Sequence, residues 1–144
     1  MLVGHANASA LGTLVERTTR FTLLVPLKAK DAATVRHAFT RELRTVPAQL
    51  RRSLTYDQGP EMREHRLFTQ HTKMPVYVAH PHCPWERGTN ENTNGLLRQF
   101  FPKGTRFTQL SRAEIKRVQG VLNARPRKIL QWHSPAYAFH QLLR

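Results

Sequence analysis

One predicted helix carries the residues of this chain whose types and spacing are best suited to chemistry. Within residues 84–98, the acid Glu91 stands among amides, glycines and arginines, just after a proline-containing loop. The helical repeat puts three further residues on the side of Glu91, namely Asn94, Gly95 and Arg98. The opposite side is apolar and consists of Leu96, Leu97 and Phe100. Such a helix buries one face and presents a carboxylate on the other.

A second acid, Asp57, ends a short predicted strand and enters the turn at residues 57–60. Thirty-three residues lie between Asp57 and Glu91, enough for one helix and one strand that bring the chain back. Two carboxylates gathered in this way bind hard cations such as Mg²⁺, which support phosphoryl transfer. Each acid also has a simpler interpretation. Asp57 can be a turn residue bonded to its own backbone, and Glu91 a solvated acid favoured by the helix dipole.

The charge of the chain indicates the class of its partner. Lysine and arginine number 23 against 9 acids, which gives a formal net charge of +14 over 144 residues. A surface this basic is tolerated best when a polyanion neutralises it, and the phosphates of DNA are the leading candidate. A basic ribosome-associated or merely soluble surface is the alternative. No run is apolar enough to span a membrane, and a single cysteine excludes an internal disulfide, so we expect a cytoplasmic protein.

The elements predicted around the two acids form one mixed α/β domain. Two β-rich runs at residues 11–15 and 21–27 predict a hairpin, and Asp31 caps a helix with apolar residues at helical spacing. The other predicted elements are a strand at 54–56, a polar helix at 61–71, a buried strand at 76–79, the Glu91 helix, and helices opened by Ser111 and Ser134. This order predicts a mixed sheet with an antiparallel hairpin and flanking helices, whose strand ends carry the acids.

Five blocks of the chain closely resemble one family of enzymes, and they are residues 12–21, 57–62, 81–98, 101–105 and 123–128. They resemble the catalytic core of bacterial insertion-sequence transposases of the insertion-sequence-thirty family, and the part from Trp85 to Arg98 is highly specific. The resemblance implies an α/β ribonuclease-H-like integrase core over residues 1–144 and a Mg²⁺- or Mn²⁺-dependent enzyme of the Asp-Asp-Glu type. It makes Asp57 the second acid of that triad and Glu91 the third, both catalytic and metal-binding.

The first acid of the triad has no counterpart in this chain. In the family it lies on the opening strand, and residues 1–4 resemble the part of that strand just after the aspartate. Asp31 lies at a helix start and Glu16 in the hairpin, so neither is a replacement. The helix-turn-helix region that precedes the family core has no counterpart either. The resemblance therefore implies an N-terminally truncated core with an incomplete first strand.

The function that the resemblance implies is DNA transposition by metal-dependent cleavage and strand transfer at insertion-sequence ends, impaired here by the missing aspartate. The alternative is a non-enzymatic DNA-binding remnant or a regulator of full-length transposase. Four residues near Glu91 are candidate DNA contacts, namely Arg87, Asn94, Arg98 and Lys103. A polar face that is merely solvated explains these residues equally well. The implied partners are transposon ends and target DNA, with a homo-oligomer for the intact enzyme, no membrane and no small-molecule substrate.

Overall fold

The computed structural model describes residues 1–56, 59–79 and 88–143. Within them, three strands come first, two further strands alternate with helices, and three helices follow. The strands are β1 (Leu2–Val3), β2 (Ala10–Val15), β3 (Thr22–Leu27), β4 (Leu54–Tyr56) and β5 (Val76–Val78). The helices are α1 (Ala32–Leu43), α2 (His65–Thr72), α3 (Gly88–Leu97), α4 (Arg112–Ala124) and α5 (Pro135–Gln141). The fold class is therefore mixed α/β, as the sequence predicts.

The described strands form two sheets, one antiparallel and one parallel. β2 and β3 pair from Ala10↔Leu27 to Val15↔Thr22, which confirms the predicted hairpin, and β1 adds to the free edge of β2. β4 and β5 pair in parallel in a separate sheet. We expected one mixed sheet, but within the described part β1 contributes only two paired residues and no fourth strand bonds to it.

The antiparallel sheet is covered by helices on both faces. Because side chains alternate along a strand, Ala10 and Leu14 of β2 face one way and Leu11 faces the other. The first face packs on α1 and α2, with Phe39 and Phe68 at its centre; we call this side the α1/α2 layer. The second face packs on α3 and α4 through their apolar residues, and we call it the α3/α4 layer. Burial on both faces explains why β2 and β3 are nearly continuous apolar runs.

The three predicted helix starts are confirmed by their caps. The Asp31 carboxylate accepts from the Thr34 backbone N–H at 3.0 Å at the start of α1. The hydroxyls of Ser111 and Ser134 accept from the N–H three residues later, each at 3.1 Å, at the starts of α4 and α5. These bonds satisfy backbone donors that a helix start otherwise leaves unpaired, which is why the sequence marks these positions.

Two element predictions need correction. The polar helix expected at residues 61–71 begins only at His65, because a separate helical turn at Pro60–Met62 places the buried Met62 in the core. The strand expected to be buried at residues 76–79 leaves Tyr77 60% and Val78 50% exposed. β5 pairs with β4 alone among the described strands, so most of its surface has no sheet neighbour to cover it.

Side-chain amides of α4 fasten that helix to the outer edge of β3. Asn123 accepts from the Thr22 N–H and donates to the Thr22 carbonyl, both at 2.9 Å. The Gln119 side-chain carbonyl accepts from the Leu24 N–H, also at 2.9 Å. These amides replace a neighbouring strand and protect an edge that otherwise invites pairing with another chain. None of the helices seen in the described segments combines the length and apolar character that crossing a membrane requires.

Candidate functional site

The helix α3, which carries Glu91, is a poor helix former by sequence. Gly88–Leu97 contains two glycines and three asparagines, which disfavour helix interiors. Packing therefore stabilises it, as it does most protein helices. Leu97 is completely buried in the α3/α4 layer and Thr93 is 7% exposed. This buried side leaves Glu91 in solvent on the other, as the helical repeat predicts.

A side-chain hydrogen bond locks α3 onto the sheet. The Thr13 hydroxyl on β2 donates to the Asn94 side-chain oxygen at 2.9 Å, across 81 residues of sequence. Asn94 lies one helical turn beyond Glu91, so this bond fixes the rotation of α3 and with it the direction of Glu91. The group that Asn94 can donate to a DNA phosphate is its amide nitrogen, because its oxygen is an acceptor and already accepts from Thr13. Sequence reasoning did not identify Thr13, because nothing near it in the chain marks it as a partner of α3.

The other predicted DNA contacts lie at both ends of α3. Arg98 is half-buried, and its Nη1 donates to the Phe101 carbonyl at 3.4 Å, which helps to close the turn after α3. Lys103 is exposed beyond that turn. Arg87 lies outside the described residues. Glu91, Asn94 and Arg98 thus occupy successive turns, and their role in DNA binding stays a prediction.

Glu91 is the one predicted metal ligand whose position the structure describes. Its exposed carboxylate offers the oxygen donors that Mg²⁺ takes from proteins. Asp57 follows the end of β4 and lies outside the described residues, so its distance from Glu91 stays a prediction. Across residues 1–56, 59–79 and 88–143, no three histidine, cysteine, aspartate or glutamate side chains gather closely enough to hold a metal ion. Among the described residues, Glu91 therefore fits the role of one acidic ligand in a metal site.

All three acids that precede Asp57 in the chain are engaged elsewhere. Asp31 caps α1, accepting from the Thr34 N–H and hydroxyl. Glu42 is 1% exposed and bridges α1 to α4 through Arg112 at 2.6 Å and Lys116 at 3.0 Å. These contacts give both carboxylates a role inside the fold.

The third of these acids, Glu16, closes the β2–β3 hairpin. One carboxylate oxygen accepts from the Thr18 N–H at 3.0 Å, and the other accepts from the Thr19 N–H and hydroxyl at 2.7 and 2.6 Å. Burial by itself raises the pKa of Glu16, but these hydrogen bonds outweigh it and hold the pKa below its ordinary value. Glu16 is therefore a structural carboxylate of the turn.

Acidification is expected to weaken this hairpin. Because the folded state lowers the pKa of Glu16, its contribution to the free energy of unfolding is present above the ordinary value of 4.5 and is lost as the pH falls below it. Urea unfolding at pH 7 and pH 3.5 measures the loss, and Glu16→Gln, which cannot titrate, should show a smaller one. Equal losses in both proteins would contradict this role for Glu16.

Curated relatives match almost the whole chain. It is 48% identical over 143 residues to the transposase for insertion sequence element IS1086 of Cupriavidus metallidurans, covering 99% of this chain and 42% of that protein. It is 46% identical over 134 residues to the transposase InsI for element IS30A of Escherichia coli, covering 93% and 35%. The transposase for element IS4351 of Bacteroides fragilis is 35% identical over 142 residues, covering 99% and 43%.

No protein-family model matches the chain. The chain spans between 35% and 43% of the length of these three relatives. The aligned part includes α3 with Glu91 and the strand β4 that precedes Asp57. Almost the whole chain is therefore similar to one part of transposases of the insertion-sequence-thirty family.

Proposed function

We propose that this chain is the catalytic core of an insertion-sequence transposase, with a ribonuclease-H-like integrase fold over residues 1–144. The observation that carries the proposal is the 48% identity that extends over 143 residues, through both acids. The exposed Glu91 on a helix locked to the sheet supports it, because a metal-binding carboxylate needs a rigid support. DNA is the proposed partner, both as element ends and as target, and a charge of +14 favours it.

Asp57 and Glu91 would hold Mg²⁺ or Mn²⁺ and work on a phosphodiester of DNA. A bound divalent cation stabilises the charge that develops on the phosphoryl oxygens and on the leaving oxygen. Water attacks phosphorus at the element end, the bond to the 3′ oxygen breaks, and that oxygen takes up a proton. The free 3′ hydroxyl then attacks a target phosphodiester, forming one bond and releasing one target 3′ hydroxyl. Arg87, Asn94, Arg98 and Lys103 position the DNA through its backbone.

A second candidate function is DNA binding without catalysis, as a remnant or regulator of full-length transposase. The engagement of Glu16, Asp31 and Glu42 in other contacts favours it, since each of the three acids within residues 1–56 already serves a contact inside the fold. Both candidates predict DNA affinity. They differ in whether adding an aspartate to the opening strand produces cleavage.

Duplex DNA binding is the first measurement, by fluorescence anisotropy at several salt concentrations. Contacts from the cations Arg87, Arg98 and Lys103 alone predict a slope of log affinity against log salt of about −2.7, which is a loss of at least roughly 40-fold between about 50 and 200 mM salt. A chain that shows no salt-dependent affinity for DNA contradicts both candidate functions.

Nicking of supercoiled DNA then separates the two candidates. The chain as it stands is expected to nick poorly, and an N-terminal extension that places an aspartate just ahead of Leu2 should raise Mg²⁺-dependent nicking. The gain is expected on the order of 10²-fold or more, the scale on which single charge-stabilising groups act in active sites. The same extension carrying asparagine is the control. Unchanged nicking with retained DNA affinity would favour the non-enzymatic function.

A further inference from the structure

A basic groove lies between α1 and α2, away from the helix that carries Glu91. Its volume is about 280 Å³, and its lining residues are Arg36, His37, Thr40, Arg41, Arg44 and His71. Because α1 and α2 belong to the α1/α2 layer, the groove lies across the antiparallel sheet from α3. The proposed catalytic residues do not include any of the six.

Arg36 forms the rigid wall of this groove. Its Nε donates to the Glu64 carboxylate at 2.6 Å, and its two terminal nitrogens lie 3.3 Å from His71 Nδ1 and 3.1 Å from His37 Nε2. The ion pair with Glu64 cancels the charge of Arg36. The net charge of the groove therefore comes from Arg41 and Arg44, both exposed, and neither is seen in an ion pair within the described residues.

Besides the charges of Arg41 and Arg44, the side chain of Thr40 also indicates that the groove takes a ligand. It is 8% exposed, and its hydroxyl oxygen is buried without a hydrogen-bond partner in the described part of the chain. Native proteins rarely leave a buried hydroxyl unpaired, because its desolvation goes uncompensated, and such a group indicates a missing partner. Threonine in a helix occupies two side-chain rotamers, so this hydroxyl can turn to an oxygen placed in the groove.

We infer that this groove binds a phosphate group of a polynucleotide backbone, held by Arg41 and Arg44 with the Thr40 hydroxyl as an additional donor. Guanidinium groups match phosphate oxygens in geometry and charge, and a hydroxyl adds a neutral donor. The assignment to DNA rests on the proposed function, whereas the phosphate chemistry does not. Since the groove and Glu91 lie in opposite helix layers, the groove would hold a DNA segment other than the one at Glu91.

Inorganic phosphate is the first probe. Its binding is monitored through the amide signals of the ¹⁵N-labelled chain in NMR. Phosphate is expected to shift the signals of the second half of α1 and of His71. Arg41→Gln/Arg44→Gln should weaken phosphate binding by roughly tenfold or more, because the loss of one hydrogen bond to a charged group typically lowers affinity by about that factor. Arg17→Gln/Arg52→Gln removes the same charge from exposed positions outside the groove and should leave the shifts in place.

Thr40→Val separates a ligand role for the hydroxyl from a structural one. The substitution keeps the shape of the side chain and removes a buried polar group, so we expect equal or higher thermal stability together with weaker phosphate binding. Phosphate binding as tight as that of the unsubstituted chain would overturn the role of Thr40. Equal weakening by the groove pair and by the control pair would overturn the groove as a site.

Duplex DNA distinguishes a backbone phosphate from a free one. The groove pair should make the slope of log affinity against log salt shallower by about 0.9 for each DNA phosphate that the variant no longer neutralises, and the control pair should not. An unchanged slope, with DNA affinity retained, overturns the groove as a DNA contact and leaves the proposed function intact. Absence of any DNA affinity in the unsubstituted chain instead overturns the proposed function, and phosphate titration still tests the groove.

Discussion

Replacing Glu91 by glutamine is expected to remove divalent-metal binding at α3, with a loss of affinity on the order of 10²-fold. Glutamine keeps the size of the side chain but loses the negative charge, and Mg²⁺ and Mn²⁺ bind proteins through carboxylate oxygens. Changing a residue that only supports a metal ligand typically lowers metal affinity by about 10–100-fold. Changing a direct ligand should therefore lower it at least as much. Mn²⁺ broadening of NMR amide signals around Asn92 measures the binding, and Mg²⁺ should compete it away.

The matched control for this experiment is Glu114→Gln. Glu114 also lies in the first turn of a helix with its carboxylate in solvent, and its partner is Arg117 at 2.8 Å. The control removes one negative charge from α4, in the same protein, without touching α3. Broadening that persists in Glu91→Gln, or that disappears equally in Glu114→Gln, would exclude Glu91 as a specific metal ligand.

Gly95 gives the surface around Glu91 its shape. It is exposed on α3, and a methyl group added there would meet nothing within 4 Å. This glycine is therefore not required by packing inside the chain. The open surface beside Glu91 leaves room for a nucleic-acid backbone to approach closely, in agreement with the proposed function.

Gly12→Val is expected to destabilise the whole domain by about 1–3 kcal/mol, even though valine favours strands. A Cβ atom at Gly12 would lie 2.6 Å from Cε1 and 3.0 Å from Cζ of Phe39. Phe39 is 1% exposed at the centre of the α1/α2 layer, so its ring cannot turn out into solvent. Urea unfolding should show a lower midpoint with the same slope, since the change acts on the folded state.

Two further variants test whether the collision with Phe39 is the cause. Gly12→Val with Phe39→Leu should lose less stability than the sum of the two single changes, because the smaller side chain vacates the space. Gly120→Ala is the control glycine: it is exposed on α4 with nothing within 4 Å, and alanine there should raise stability by about 0.5–1 kcal/mol. Additive losses in the double variant would mean that Gly12 is needed for another reason.

The elements that the sequence predicted correctly depend on interactions between near neighbours. Asp31 and Ser134 cap helices by bonding to a backbone N–H three residues later, so the signal and its partner lie within one turn. The β2–β3 hairpin likewise follows from two adjacent β-rich runs and the turn between them. The exposure of Glu91 follows from the helical repeat, because the apolar residues of α3 fall on its other side.

The family likeness predicted function as well as structure, because it compares whole blocks of residues. It related the segment from Trp85 to Arg98 to transposases, and the relatives at 46–48% identity confirm that relation. The metal and DNA roles of the individual residues are implied by that likeness and stay predictions.

The tertiary structure alone decided which distant residues meet. Thr13 and Asn94 are 81 residues apart, and Glu42 and Lys116 are 74 apart, yet each pair makes a direct hydrogen bond. No local pattern encodes such a partner, since the contact depends on how helix layers settle on the sheet. In the sequence, Gly12 is only a residue that weakens a strand. The structure shows the ring of Phe39 where a side chain at Gly12 would have to lie.

By itself, then, the sequence determined the helix caps, the hairpin, the exposed acid of α3 and the likeness to insertion-sequence-thirty transposases, because these rest on neighbours in the chain or on whole-block likeness. Only the tertiary structure decided how α3 is anchored, which acids are already engaged, and that a groove lined by arginines also holds the Thr40 hydroxyl, which has no hydrogen-bond partner among the described residues. Those features arise from packing, which brings together residues that the chain keeps far apart.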